Sequence, residues 1–245
     1  MPLETLAPKL DLPPPYTLVT LREVGDAFAH AIELAPTQGA GTLTYVGRFD
    51  LAEFAVVLEP EEPLRGARRA LYLGMVALVD ALLTHAPPES PIAIDWPDAI
   101  YVNGGLVGGG RIAVPEGARD DAPPDWLVFG AMIRTVSMSD SEPGVTPLVA
   151  ALEQEGFSDF TAGSLVESFS RHLMVHSDAW AEQGFAAVAK EYLRRLPRDK
   201  SVRSVDENGD LLVRRPGKVE VERNRLVRRL GVPSWLDPAT RGPRS

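Results

Sequence analysis

Between residues 64 and 84 the apolar positions Leu64, Leu71, Met75, Leu78 and Leu82 recur at helical spacing, which predicts one long helix with a buried face. It ends at Pro87-Pro88. Upstream, Tyr16 to Leu21 reads as a strand and Arg22 to Leu34 as an alanine-rich helix stopped before Pro36. Thr42 to Gly47 and Glu53 to Leu58 read as strands joined by Arg48 to Leu51. Residues 92–112, IAIDWPDAIYVNGGLVGGGRI, place two strand-like runs on either side of an Asn103-Gly104 turn. Trp126 to Val136 is an apolar run broken by Gly130 and reads as a buried strand, with Ser137 to Gly144 a polar loop. Leu165, Phe169 and Leu173 mark a second helix, and Phe185, Val188, Tyr192 and Leu196 a third, ended by Pro197. Asn208-Gly209 between Ser201 to Val205 and Asp210 to Arg214 signals a type I′ hairpin. Strands and helices mix without regular alternation, so the expected class is α+β with a mixed or antiparallel sheet packed with helices.

Composition narrows the picture. With 245 residues, 44% of them hydrophobic, the chain can bury a full core, enough for one domain of about 200 residues and a small appendage. No stretch reaches the ~18 apolar residues of a membrane span, and the first residues lack a signal-peptide pattern, so the expected location is cytoplasmic. The absence of cysteine excludes disulfides, thiolate metal sites and a cysteine nucleophile. Residues 1–189 hold 10 basic and 26 acidic residues, and residues 190–245 hold 15 and 8. That asymmetry points to an acidic partner or to self-association through the tail. Nucleic acid is disfavoured, because the tail has few aromatics and no DNA-binding motif.

Trp96, Pro97, Ile100, Tyr101, Val102 and Gly109 give residues 92–112 their resemblance to the biotin/lipoate A/B protein ligase family. That family usually reads Lys-Trp-Pro-Asn-Asp, a strand, a turn and Lys-Leu-Ala-Gly-Ile-Leu, the second lysine helping to activate the acid as an acyl-adenylate. Gly130-Ala131-Met132-Ile133-Arg134 resembles the family's Gly-x-Gly-Ile-Asn strand, with Met132 where a small glycine is common. Residues 163–196 resemble the two helices closing the biotin ligase catalytic domain, and residues 204–215 the hairpin of its C-terminal barrel. The resemblance implies the ligase catalytic-core fold over residues 1–197 and a small, basic, β-containing appendage over 198–245. More narrowly, the chain resembles the ligase-like subfamily without assigned activity. ATP with biotin or lipoate is the implied cofactor and substrate set, and a biotinyl- or lipoyl-type carrier protein the implied partner.

Departures from the family pattern concentrate where chemistry would occur. Asp95 replaces the first lysine and Leu106 the second. The Gly/Arg-rich loop that closes over biotin shrinks to residues 44–50. Lys9, Lys190, Lys200 and Lys218 are the only lysines. Joining a carboxylate to the α-phosphate of ATP brings two anions together, and fixed cations must stabilise the charge that develops. Octanoyl transfer on this fold uses a cysteine, which is absent here. The arginines placed to serve in a pocket are Arg48, Arg111 and Arg134, which can clamp a carboxylate or phosphate but are poor proton donors. The candidate ligand-binding set is therefore Tyr45, Arg48, Trp96, Asn103, Gly108, Gly109, Gly110, Arg111, Gly130, Met132 and Arg134, with no catalytic residue assigned. The glycines read either as a surface for close ligand approach or as a tight hairpin with a bulge.

Three functions follow: ligase-like handling of biotin, lipoate or a related acyl acid; a non-catalytic protein binding a small acid or a carrier domain; or a transferase or hydrolase with arginine anion binding. Little adenylation is expected. His172 and His176 have a spacing that can bind metal, but without the glutamate of an HExxH motif they read as an ordinary helix face, and no metal site is expected. Arg65, Arg68 and Arg69 lie beside Glu59, Glu61 and Glu62 and read as local ion pairs.

Overall fold

The computed structural model of the chain describes residues 10–138, 148–158 and 160–244. Seven strands form one sheet: β1 (Thr17–Leu21), β2 (Thr42–Val46), β3 (Leu51–Leu58), β4 (Ile92–Asp95), β5 (Ala99–Val102), β6 (Gly105–Ala113) and β7 (Leu127–Arg134). Their order is β1-β2-β3-β7-β6-β5-β4. The β1–β2 pair is parallel and the rest are antiparallel, so the sheet is mixed. A three-stranded antiparallel sheet of β8 (Val202–Val205), β9 (Leu211–Arg214) and β10 (Val221–Asn224) follows.

On one face of the large sheet lies α1 (Ala27–Gln38), started by Asp26, whose carboxylate accepts from the Ala29 N–H at 2.9 Å. Pro36 lies inside its last turn rather than beyond its end, and the helix closes with the Gly39 N–H on the Ala35 carbonyl. On the other face lie α3 (Ala70–His85), α4 (Ala162–Gln183) and α5 (Phe185–Arg195). The expected helix from 64 to 84 is interrupted: α2 (Leu64–Ala67) precedes α3, and i→i+3 bonds at Arg68 and Arg69 form the joint. Burial runs round most of α3, from Ala70 to Val79, because α4 and α5 cover the side turned away from the sheet. Gly74 lets α3 approach the sheet, since a Cβ there would stand 2.2 Å from the Phe129 ring. Thr161 and Ser164 cap the start of α4 reciprocally.

Asn103 and Gly104 both have positive φ (49° and 86°) and join Val102 to its cross-strand partner Gly105, as a two-residue hairpin requires. The β8–β9 connection differs from the expected type I′ turn. Among its residues Gly209 has positive φ and Asn208 does not, and the Asp206 side chain accepts from the Asn208 and Asp210 N–H groups. The small sheet packs on the body: Leu211 and Leu226 join the main core, and the Tyr72 hydroxyl donates to the Gly209 carbonyl. The expected loop from Ser137 to Gly144 lies mostly outside the described residues.

Candidate functional site

Cross-strand register gathers five of the eleven predicted ligand-binding residues on the face of the sheet that α1 partly covers. Gly109 on β6 pairs with Met132 on β7, Arg111 pairs with Gly130, and Arg134 pairs with Leu51 of β3. At the α1 end, Arg111 stacks on Phe28, 4.0 Å from the ring centroid, with an Asp26 carboxylate oxygen at 3.7 Å. Gly130 makes room for Phe28, whose ring would stand 2.4 Å from a Cβ. Glu53, also turned to this face, is buried and accepts from the Ala27 N–H at 2.8 Å. Burial pushes its carboxyl up, against the pull of that hydrogen bond and of Arg48 and Arg111.

Trp235, from the far end of the chain, covers the other half of this face. Fully buried, it forms an apolar cluster with Leu51, Ala99, Leu106 and Met132. Its indole N–H donates to the Gly110 carbonyl at 3.0 Å. A Cβ on Gly109 would stand 2.0 Å from the Asp98 carbonyl and 2.4 Å from the indole, so glycine is what lets the ring approach β6 this closely. Gly108 (φ 149°) sits beside a bulge that shifts the β5–β6 register, and a Cβ there would collide with the Met132 carbonyl at 1.9 Å. Beside Trp235, the Ser234 hydroxyl donates to Asp98 at 2.8 Å. Burial raises the Asp98 carboxyl to about 6, against the hydrogen bonds from Ser234. Arg134 donates to the carbonyls of Ala150, Pro243 and Arg244. Among the described residues no carboxylate pairs with it, and burial lowers its pKa.

The other predicted residues stand elsewhere. Tyr45 lies in the main core on the opposite face. Arg48 grips Asp50 with two hydrogen bonds, 3.0 and 2.6 Å, in the β2–β3 connection. Trp96, whose peptide to Pro97 is cis, donates to the Tyr72 hydroxyl at 3.0 Å and has Arg229 6.0 Å from its ring centroid. Asn103 is at the hairpin tip, bonded to Glu155. Gly108 and Gly110 pair with Ile133 and Ala131, one step out of phase with Gly109. A groove of about 600 Å³ lined by Tyr16, Leu58, Ala70, Leu73, Leu173 and Trp180 contains none of the predicted site residues.

His172 and His176 converge with Asp80 of α3, their ligand atoms within 4.8 Å of one another. Both carboxylate oxygens of Asp80 are engaged, by His176 at 2.8 Å and by Arg195 at 2.6 Å, so a cation placed there would face a guanidinium. Sequence reasoning missed Asp80, Ser234 and Trp235. The one signal for Trp235 was its place between Pro233 and Pro238 as the lone aromatic residue after Tyr192.

Residues 12–194 match the model of the Biotin/lipoate A/B protein ligase family. A biotin protein ligase-like protein of unknown function from Silicibacter superposes with a TM-score of 0.78, covering 91% of this chain and 99% of its own at 29% identity. The biotin protein ligase from Aquifex aeolicus in complex with biotin and ATP gives 0.62, with 84% and 94% covered at 16% identity, a likeness of fold alone. A biotin–[acetyl-CoA-carboxylase] ligase from Paracoccus denitrificans is 27% identical over 157 residues, 58% of this chain and 59% of that relative. The match thus spans about three fifths of that protein's length.

Proposed function

The chain belongs to the biotin/lipoate A/B protein ligase family, and from that premise we propose that it recognises a small acyl acid of the biotin or lipoate class without activating it with ATP. The observation that carries this reading is the side-chain content of the face built by β6 and β7. Leu106 and Asp95 stand at the places of the family's lysines, and Leu106 points into the apolar cluster around Trp235. Adenylation makes a bond from the carboxylate oxygen to the α-phosphorus and expels pyrophosphate, so negative charge gathers at one point. Of the cations on this face, Arg111 is engaged with Asp26 and Phe28. Buried Glu53 adds an acid, not a cation, to this face. Loss of one stabilising donor typically costs about 10²-fold or more in rate.

Recognition needs less. The face offers apolar walls (Leu51, Leu106, Met132), the Gly110 carbonyl as acceptor, and Arg134, whose donors now rest on neutral carbonyls. A guanidinium gains more from a carboxylate than from carbonyls, because the hydrogen bonds become charge-assisted on both sides. A carrier domain that bears such an acyl group would share the apolar walls but not the Arg134 contact, because its amide linkage leaves no carboxylate.

The test is ATP–pyrophosphate exchange with biotin, lipoate or octanoate, run beside an active ligase, together with thermal shift for each acid. The expected result is exchange at background level, with an acid-dependent rise in melting temperature. Exchange comparable to the control would overturn the reading and make the chain a working ligase.

A further inference from the structure

We propose that residues 233–244 are a reversible stopper over the β6–β7 face, and that a ligand of this face must displace them. This rests on the reading of that face as an acid-binding site. Trp235 supplies the flat apolar body that seals the cluster of Leu51, Leu106 and Met132, and its indole N–H takes the Gly110 carbonyl. The carbonyls of Pro243 and Arg244 take the donors of Arg134. One short segment thus satisfies both polar ends of the site while filling its apolar centre.

The segment is built to leave as a unit. Its described backbone–backbone hydrogen bonds close on itself: the Leu236 N–H on Pro233, Asp237 on Gly242, Arg241 on Asp237 and Arg244 on Trp235. It pairs with no strand of the large sheet, and Leu236 bridges to Pro243 within the segment. Its described hydrogen bonds to the body run through side chains, those of Trp235, Ser234 and Arg134, so lifting it breaks no β-ladder. Segments with few buried contacts and self-contained hydrogen bonds open at free energies below that of global unfolding. Within 233–244 only Pro233, Trp235 and Pro243 are buried.

Two measurements on the full chain decide this. In hydrogen exchange of the wild type, the amides of Leu236, Asp237, Arg241 and Arg244 should exchange at least about a hundredfold faster than those of β6 and β7, and faster still when a bound acid is present. Equal protection of segment and strands would overturn the stopper. Binding of biotin, lipoate and octanoate is then compared between wild type and Trp235→Ala, with circular dichroism to check folding. At least about tenfold tighter binding of one acid by the variant is expected, because the ligand no longer has to displace the indole. Equal affinities would overturn the stopper while leaving the acid reading intact. Should neither protein bind any of the acids, the acid reading falls and the stopper, which rests on it, falls with it. If Trp235→Ala does not fold, the exchange of the wild-type segment with and without acid decides alone.

Discussion

Gly108 and Gly104 both have positive φ, yet their surroundings differ. A Cβ on Gly108 would stand 1.9 Å from the Met132 carbonyl, whereas nothing lies within 4 Å of one on Gly104. Gly108→Ala should therefore cost more than about 3 kcal/mol and Gly104→Ala about 1 kcal/mol, measured by urea denaturation. At Asp98 the folded-state pKa of about 6 lies above the ordinary 3.8, because burial outweighs the hydrogen bonds from Ser234, with Asp95 raising it further and Arg229 lowering it. The folded state thus holds this proton more tightly than the unfolded chain. Its stabilising contribution is complete below about pH 4 and is lost as the pH rises through about 6. Asp98→Asn keeps an acceptor for the Ser234 hydroxyl and should flatten this part of the profile, which thermal melts between pH 4 and 8 would reveal. A wild type as flat as the variant would mean that Asp98 stays ionised and well solvated.

Helices α3, α4 and α5 meet at one carboxylate. Asp80 accepts from His176 at 2.8 Å and from Arg195 at 2.6 Å, with side-chain exposures of 17%, 11% and 28% in that order. Burial opposes ionisation of Asp80, but the hydrogen bond from His176 and the charge of Arg195 outweigh it and bring the pKa below 3.8. This contribution is present above pH 3.8 and is lost as the pH falls through the lower folded value. Asp80→Asn should cost about 2 kcal/mol near pH 7, discounted from a fully buried pair because Arg195 is partly solvated, and the difference should vanish in strong acid. Chemical denaturation at pH 7 and in strong acid, at about pH 1, checks both halves. Helical spacing revealed α3 and α4, but it could not place the joint at Arg68 and Arg69 or show that α3 is wrapped on both sides. Periodicity reports one face of an element and not how many neighbours cover it.

Charge is divided across the whole molecule, with 26 acidic residues before position 190 and 15 basic residues from there on. The small sheet neutralises part of its own charge, through Arg203 with Asp199, Arg215 with Glu222, and Arg223 with Asp206 and Asp210. The remaining basic surface should attract an acidic surface, another copy's body or a carrier protein. The expected outcome is association of the full chain at low salt that weakens as salt rises, since exposed charges are screened over about 8 Å at physiological ionic strength. Sedimentation at low and high salt would show it. An unchanged profile would leave the tail as a solvated, self-paired appendage.

The class of fold was legible in the chain because its signals are local. Alternation and helical spacing, the Asn103-Gly104 turn and the Trp96-Pro97 pattern each depend on residues a few positions apart. Local composition also revealed that no lysine stands between Lys9 and Lys190. Register, which follows from which face of each strand is buried, then decided that Gly109, Arg111, Gly130, Met132 and Arg134 share one side while Tyr45 faces the other. Two contacts that define the site, Ser234 with Asp98 and Trp235 with Gly110, join residues 136 and 125 positions apart. No spacing rule reaches so far. Where the chain's end returns is set by which exposed apolar surface the folded body leaves for it to cover, and that surface exists only once the sheet has formed.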